Sequence, residues 1–539
     1  MTGTAGGIID RDPVTFEVVR SSLYAICAEM KSVIMRTSFS PLLSLSADLS
    51  CALLDAQGNV VGQGRDIPVH LGAVPFTVRA AFAAFPIPGW KAGDGVILND
   101  PYAGGTHLPD VSLIMPIFHE DTLCGFSLSR VHWPDVGGIA AGSSSVSNEI
   151  FKEGLRIPPL KIIEGGQPRE DILALVLANV RVPQDRHGDF RAQIAGARRA
   201  ELRVLELAER YGVAVLAEVM SDAQTYSQRI VRRRLAALPD AVVEHEEALD
   251  GDGIDANCKP VVRARIEKKG DTFLIDFTGS SPCVAGPINS PFAVTASSVY
   301  YTLLSLAGGD IPPNNGVYEV ASVIAPEGTI VNASYPAPVV AANTETSNRI
   351  VDILLAAIAK VYPETVPAGS YGSACVYTLG GVHPATSRRF VHYETIGGGG
   401  GATARAEGAS GIRVHMGNTM NLPIEAVEAA LPIRFISYEL VPENAGRGRH
   451  RGGAGVRKVI EVLADNVEAS VLGERTLTPA HGVAGGGQGG VARFTHWRAD
   501  GSQVALAAKS GPHSLKKGER LEMITAGGGA WGRSSDEQN

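Results

Sequence analysis

Apolar residues recur at spacings of three and four through Phe16, Val19, Leu23, Ile26, Met30 and Val33. That period predicts an amphipathic helix. Asp12-Pro13 supplies a cap and a first-turn proline, and the pattern runs out near Arg36. The period then changes. Ser50–Asp55 and Val60–Gln63 flank Ala56-Gln-Gly-Asn59 and predict a hairpin. A second apolar helix is predicted over Val74–Phe85, stopped by Pro86 and Pro88. Val96–Leu98, Val111–Phe118 and Cys124–Val131 predict buried strands. From Pro183 to Leu238 the pattern is helical, broken at Gly212 and ended by Pro239. Val261–Glu267 and Thr272–Phe277 alternate across Lys268–Asp271 and predict another hairpin. Helices are predicted over Ser298–Leu306 and Asn348–Tyr362. From about Val391 the chain turns to short strand-like runs separated by glycine clusters.

These elements predict a mixed α+β chain in three regions. Residues 1–182 form an N-terminal α/β region, 183–390 a central helical and β region, and 391–539 a glycine-rich, strand-rich region. At 539 residues the chain exceeds the roughly 300 at which a single core stops growing. The 62 glycines mark turns and close backbone approaches, because apolar residues (45%) are spread throughout. No fixed-period repeat is present.

Charge and cysteine usage narrow the function classes. The net charge of −8 comes without a long run of one sign, and this points to neither nucleic acid nor an anionic membrane as partner. Arg232-Arg-Arg234 lies in a helical pattern and reads as a solvated face. The six cysteines are scattered without a C-x-x-C pair, which suits a reduced, cytoplasmic setting. Met1–Gly7 lacks the basic-then-apolar form of a secretory signal, and no apolar run reaches the roughly 18 residues of a membrane span.

The chemistry concentrates in two short segments, Thr106-His-Leu-Pro-Asp110 and Val131-His-Trp-Pro-Asp135. A histidine and an aspartate three residues apart in a turn can converge on one cation, and a second histidine from a neighbouring strand end can complete the set. Two imidazole nitrogens with carboxylate oxygens suit zinc, manganese or iron better than calcium. Asp48 and His70 are further candidates. Taken singly, Asp48 also reads as a turn cap and His70 as a core histidine. There is no G-x-x-x-x-G-K-[ST] phosphate loop and no G-x-S-x-G elbow. Gly397–Gly401 has the composition of a phosphate cradle but lacks the following Lys-Ser/Thr, so a tight turn is the better reading.

The run Asn99-Asp-Pro-Tyr-Ala-Gly-Gly-Thr-His-Leu-Pro-Asp110 resembles the signature of the hydantoinase B/oxoprolinase family. Further segments resemble it in the same order: Ser46–Ser50, Pro68–Gly72, Arg130–Gly138, Glu153–Pro159, Pro312–Gly316, Asn343–Thr346, Arg451–Gly455 and Gly527–Gly532. The resemblance runs from about Asp12 to Gly532.

The resemblance implies a B-type subunit of an ATP-dependent enzyme that opens a cyclic amide, a lactam or a hydantoin. ATP would be used by a hydantoinase A-type ATPase partner, giving a hetero-oligomer, and this chain would act on the phosphorylated intermediate with a metal-bound hydroxide. The family's metal ligands carry over to His107, Asp110 and His132, with Asp48 as a fourth. Asp135, adjacent in sequence, is the expected catalytic auxiliary, orienting a ligand histidine or moving a proton. Trp133 departs from the family, where another histidine or a small residue is common. Two alternatives accompany this expectation: a subunit of a ketone carboxylase of the acetone or acetophenone type, and a non-catalytic scaffold for the ATPase.

Overall fold

The computed structural model describes residues 7–142, 146–255 and 257–534. The start of the chain, on which the reading of Met1–Gly7 rests, lies outside them up to residue 6. The architecture mixes helix and sheet throughout. Helix α1 (Pro13–Thr37) begins as expected, the Asp12 carboxylate accepting from the Thr15 amide at 3.0 Å. It buries Phe16, Val19, Leu23, Ile26, Met30 and Ile34.

A seven-stranded sheet carries the N-terminal third. Its strands are β1 (Leu49–Leu54), β2 (Val60–Gln63), β3 (Gly95–Leu98), β4 (Asp110–His119), β5 (Thr122–His132), β6 (Leu160–Glu164) and β7 (Gln167–Pro168). The order is β2-β1-β5-β4-β3-β6-β7. Helix α2 (Pro68–Ala84) covers one face; α1 and α3 (Pro183–Tyr211) cover the other. Because side chains alternate along a strand, Val111, Leu113, Met115 and Ile117 pack towards α1 and α3. Ile114, Phe126 and Leu128 pack towards α2. The same alternation turns Asp110, Ser112, Arg130 and His132 to the α2 face. Helix α2 starts at Pro68, six residues before the expected Val74, with Pro75 inside it. Pro68 takes the first helical turn, where its missing N–H costs nothing.

Helix α4 (Val213–Ala236) follows α3 across Gly212. A four-stranded sheet then assembles in the order β11-β10-β9-β8 from β8 (Ala241–Ala248), β9 (Val261–Lys269), β10 (Thr272–Asp276) and β11 (Ala321–Ile324). Strand β8 was not legible in the sequence, because polar residues stand on both of its faces. Helices α5 (Phe292–Ala307) and α6 (Ser347–Ala359) complete this core. The core also takes Leu42, Ile67 and Val69 from the N-terminal third and Leu472 from the C-terminal one.

The C-terminal part holds a four-stranded and a five-stranded sheet. Between them glycine-rich segments pack backbone against backbone. A Cβ on Gly399 would stand 2.2 Å from both Gly453 O and Gly528 N, so only glycine fits. The amides of Gly398, Gly399 and Gly400 already donate to Ile412 O, Ala526 O and Ala409 O. They are not free to hold a phosphate, in agreement with the tight-turn reading. No helix among the described residues is long and apolar enough to cross a membrane.

Candidate metal centre

The β4–β5 register sets Asp110 directly opposite His132. Cross-strand partners lie close enough for their side chains to touch, and His132 Nδ1 is 3.1 Å from Asp110 Oδ1. His107 joins from the turn that precedes β4. Its Nε2 is 3.0 Å from Asp110 Oδ1 and 3.3 Å from His132 Nδ1. That turn is held by buried Asn99, whose Nδ2 donates to Leu108 O at 2.7 Å and whose Oδ1 accepts from Ile157 N at 2.6 Å. Gly104 makes the turn possible: its φ is +79°, and a Cβ there would meet the Phe76 carbonyl carbon at 2.4 Å.

Asp110 is the hub. Its Oδ2 accepts from Thr106 Oγ1 at 2.5 Å and from Asn343 Nδ2 at 3.1 Å, and lies 3.1 Å from His70 Nε2. All of these groups are buried. Burial works to raise the Asp110 carboxyl, but His107 and His70 beside it hold it well below the usual carboxylate range. Burial likewise works against a charged His107, and the Asp110 carboxylate outweighs it, leaving the imidazole raised.

A divalent ion fits these residues. His107 Nδ1 faces Val340 O at 3.0 Å, and a carbonyl only accepts, so Nδ1 carries the proton and Nε2 of the neutral ring presents a lone pair. That lone pair points at a carboxylate oxygen, an arrangement that a proton on Nε2 or a cation between the two atoms relieves. The three donor atoms are 3.0, 3.1 and 3.3 Å apart. Ligands about 2.1 Å from one ion are separated by about 3.0 Å in an octahedron and about 3.4 Å in a tetrahedron. Calcium takes oxygen ligands, so a set with two imidazole nitrogens suits it poorly.

Asp48 stands apart from this trio. It lines the same pocket as His70, His132 and Asn343, and its backbone carbonyl accepts from His132 N at 3.1 Å. Asp135 is placed elsewhere. Its Oδ1 pairs with Arg181 Nη1 at 3.0 Å and accepts from Gly137 N at 3.3 Å, while Oδ2 accepts from Arg181 N. These bonds fix the loop after His132. Asp135→Asn is therefore expected to lower the thermal unfolding midpoint while leaving metal content unchanged, checked by calorimetry and elemental analysis of one preparation.

Sequence reasoning did not assign Asn343 or Glu153 a role. Asn343 sits in a π-helical turn, Ala342–Thr346, and its Nδ2 reaches both His107 Nε2 (3.2 Å) and Asp110 Oδ2. The Asn343–Thr346 segment was the available signal. Buried Glu153 accepts from the amides of Val339 (2.8 Å) and Val340 (3.0 Å), and so steadies the carbonyl that orients His107. Burial pushes its carboxyl up to about 8, against the pull of these bonds. Non-glycine residues with left-handed φ include Ala47 (55°), Cys375 (47°) and His415 (51°), each next to a pocket-lining residue.

The sequence pattern of the hydantoinase B/oxoprolinase family matches residues 12–534. The chain belongs to this family. It is 32% identical over 555 residues to 5-oxoprolinase 1 of Arabidopsis thaliana, covering 97% of this chain and 42% of that protein. To the caprolactamase subunit beta of Pseudomonas jessenii it is 31% identical, covering 97% and 91%. The crystal structure of the ATP-dependent caprolactamase from that organism superposes with a TM-score of 0.90 at 29% identity, over 98% of this chain and 93% of that one. A nucleotide-free acetone carboxylase shares the fold, with a TM-score of 0.88 at 19% identity over 98% and 77%.

Proposed function

We propose that this chain is the B-type subunit of an ATP-dependent cyclic-amide hydrolase. The convergence of His107, Asp110 and His132, in a fold that superposes on a caprolactamase, carries this reading. Two relatives are named as an oxoprolinase and as a caprolactamase subunit. In the proposed reaction the ATPase partner phosphorylates the ring amide oxygen. Two waters are consumed on this chain: one gives its oxygen to the acyl carbon as the C–N bond breaks and the nitrogen takes two protons, and the second releases phosphate from the acyl phosphate so formed. ATP supplies the leaving group that a stable ring amide lacks.

His107, Asp110 and His132 would hold a zinc, manganese or iron ion, and Asp48 is the candidate fourth ligand. Such an ion lowers the pKa of water and polarises an acyl or phosphoryl oxygen. The protein supplies the rest. Val340 fixes the His107 tautomer, Thr106 orients Asp110, and Asn343 presents an amide N–H at the edge of the trio. Asp135 fixes the loop after β5 through Arg181 and the Gly137 amide.

The chain alone is expected to turn over no ATP. With the A-type partner and a cyclic amide, it should release ADP and ring-opened product in a one-to-one ratio. Robust ATP turnover by the isolated chain would sink the division of labour. Likeness to acetone carboxylase at 19% identity speaks for the fold alone. ATP turnover that depends on bicarbonate and a ketone would favour that chemistry instead.

A further inference from the structure

The pocket beside the trio has a second charged wall. Arg413 lines it together with Tyr371, Tyr393, Thr395 and Thr419. Its guanidinium is fixed from behind: Nη1 donates to Ala374 O at 2.9 Å and Nη2 to Thr395 O. Two carbonyls orient the group but do not neutralise it. Among the described residues no carboxylate lies within ion-pair distance of Arg413. Arg181 pairs with Asp135, Arg349 with Glu247 and Glu474, and Arg475 with Glu247 and Asp352; buried Arg130 is held by Ser112, Thr77 and the His70 carbonyl instead, but unlike Arg413 it does not line this pocket.

An arginine stays charged at any physiological pH, and half-buried Arg413, with only two carbonyls accepting from its Nη1 and Nη2, keeps N–H donors for an anion that enters the pocket. The guanidinium fork matches a carboxylate, which it can grip through two parallel hydrogen bonds. Positive charge thus stands on the Arg413 wall, and the Asp110 carboxylate stands with the histidines of the trio, while Asp48 lines the pocket beside them. The segment that presents Arg413 is built with care. His415, two residues on, has a left-handed backbone (φ 51°), and its Nε2 lies 2.9 Å from Asp352 Oδ1.

We propose that Arg413 is a specificity-determining residue and that the pocket takes cyclic amides bearing a carboxylate, the carboxylate on the guanidinium and the ring amide towards His107, Asp110 and His132. This rests on the cyclic-amide reading above. A neutral ring of the same size leaves Arg413 unpaired and binds less well.

The test uses 5-oxoproline and 2-pyrrolidinone, which share a five-membered lactam ring and differ by the carboxylate. In the reconstituted complex, kcat/KM for 5-oxoproline should exceed that for 2-pyrrolidinone by at least about tenfold. Arg413→Met should level the two, and Arg413→Lys should keep part of the preference. The ratio is read within one preparation, so a reduced folded fraction cancels. Equal use of both rings by the unaltered complex, or a preference that survives Arg413→Met, overturns the proposal. If the complex opens neither ring, nor hydantoin or caprolactam, the cyclic-amide reading is what fails. Calorimetric titration of the full chain then decides the role of Arg413: tighter binding of 5-oxoproline that Arg413→Met abolishes supports it, and equal binding of the two compounds refutes it.

Discussion

Replacing His107 and His132 together by alanine is expected to strip the chain of its divalent ion and to lower ring opening by about a thousandfold or more. The magnitude follows from the several kcal/mol that a metal contributes to activating water and stabilising developing charge. The double variant removes both nitrogens that face Asp110 Oδ1. The fold should survive, because the strand that carries His132 keeps its backbone pairing and the apolar faces of β4 and β5 are untouched. Cavities left by two imidazoles should lower the melting temperature by a few degrees. Elemental analysis and single-turnover kinetics on the same preparation check the two halves. Retained metal occupancy would remove the trio as its binding site.

The largest effect on stability is expected from Arg475→Met. Arg475 is fully buried, with Nη1 2.8 Å from Glu247 Oε1 and Nη2 2.6 Å from Asp352 Oδ2. Nearby, Arg349 Nη1 lies 2.5 Å from Glu474 Oε2, and Lys509 Nζ 2.5 Å from Glu474 Oε1. These groups tie β8 and α6 to the C-terminal sheets. Removing one partner of a buried pair leaves the other charge desolvated, at a cost of about 3–5 kcal/mol. The unfolding midpoint in urea should fall accordingly, and adding Asp352→Asn should restore part of it. A midpoint unchanged in Arg475→Met would show that Glu247 and Asp352 are solvated or paired in another way. Burial opposes ionisation of Asp352, but Arg475 and His415 hold its carboxyl far below the ordinary 3.8. Its contribution is therefore complete above that value and declines as pH falls below it.

The trio was legible because its members are local. His107 and Asp110 share one turn, and His132 sits at the end of the partner strand of a single hairpin, so register alone brings them together. Helix α1 was legible for the same reason: its cap, its first-turn proline and its apolar stripe all lie within one segment. The rest of the pocket was not. Asn343 meets Asp110 across 233 residues of chain. Arg413, Tyr393 and Thr419 arrive from a region whose glycine clusters carry no periodic signal. Composition showed the glycines, but only the backbone-to-backbone packing of Gly399 against Gly453 and Gly528 explains them. Asp135 shows the converse. Proximity in sequence suggested a place beside the histidines, yet the chain turns after β5 and hands its carboxylate to Arg181. The charges on α6 were hidden as well, because Arg349 and Asp352 sit among Ile350, Val351 and Ile353 in a helix that reads as apolar core.

The central claim is that hydrolysis takes place on this chain and needs the ion at His107, Asp110 and His132. The most direct measurement strips the metal from this chain alone by chelation, reconstitutes the complex with an untreated ATPase partner, and follows ring opening and ADP release before and after zinc, manganese or iron is restored. Ring opening is expected to be lost on stripping and to return with one ion per chain, and chains with His107→Ala and His132→Ala are expected not to recover. Full ring opening by the stripped complex, with no ion bound to this chain, would contradict it.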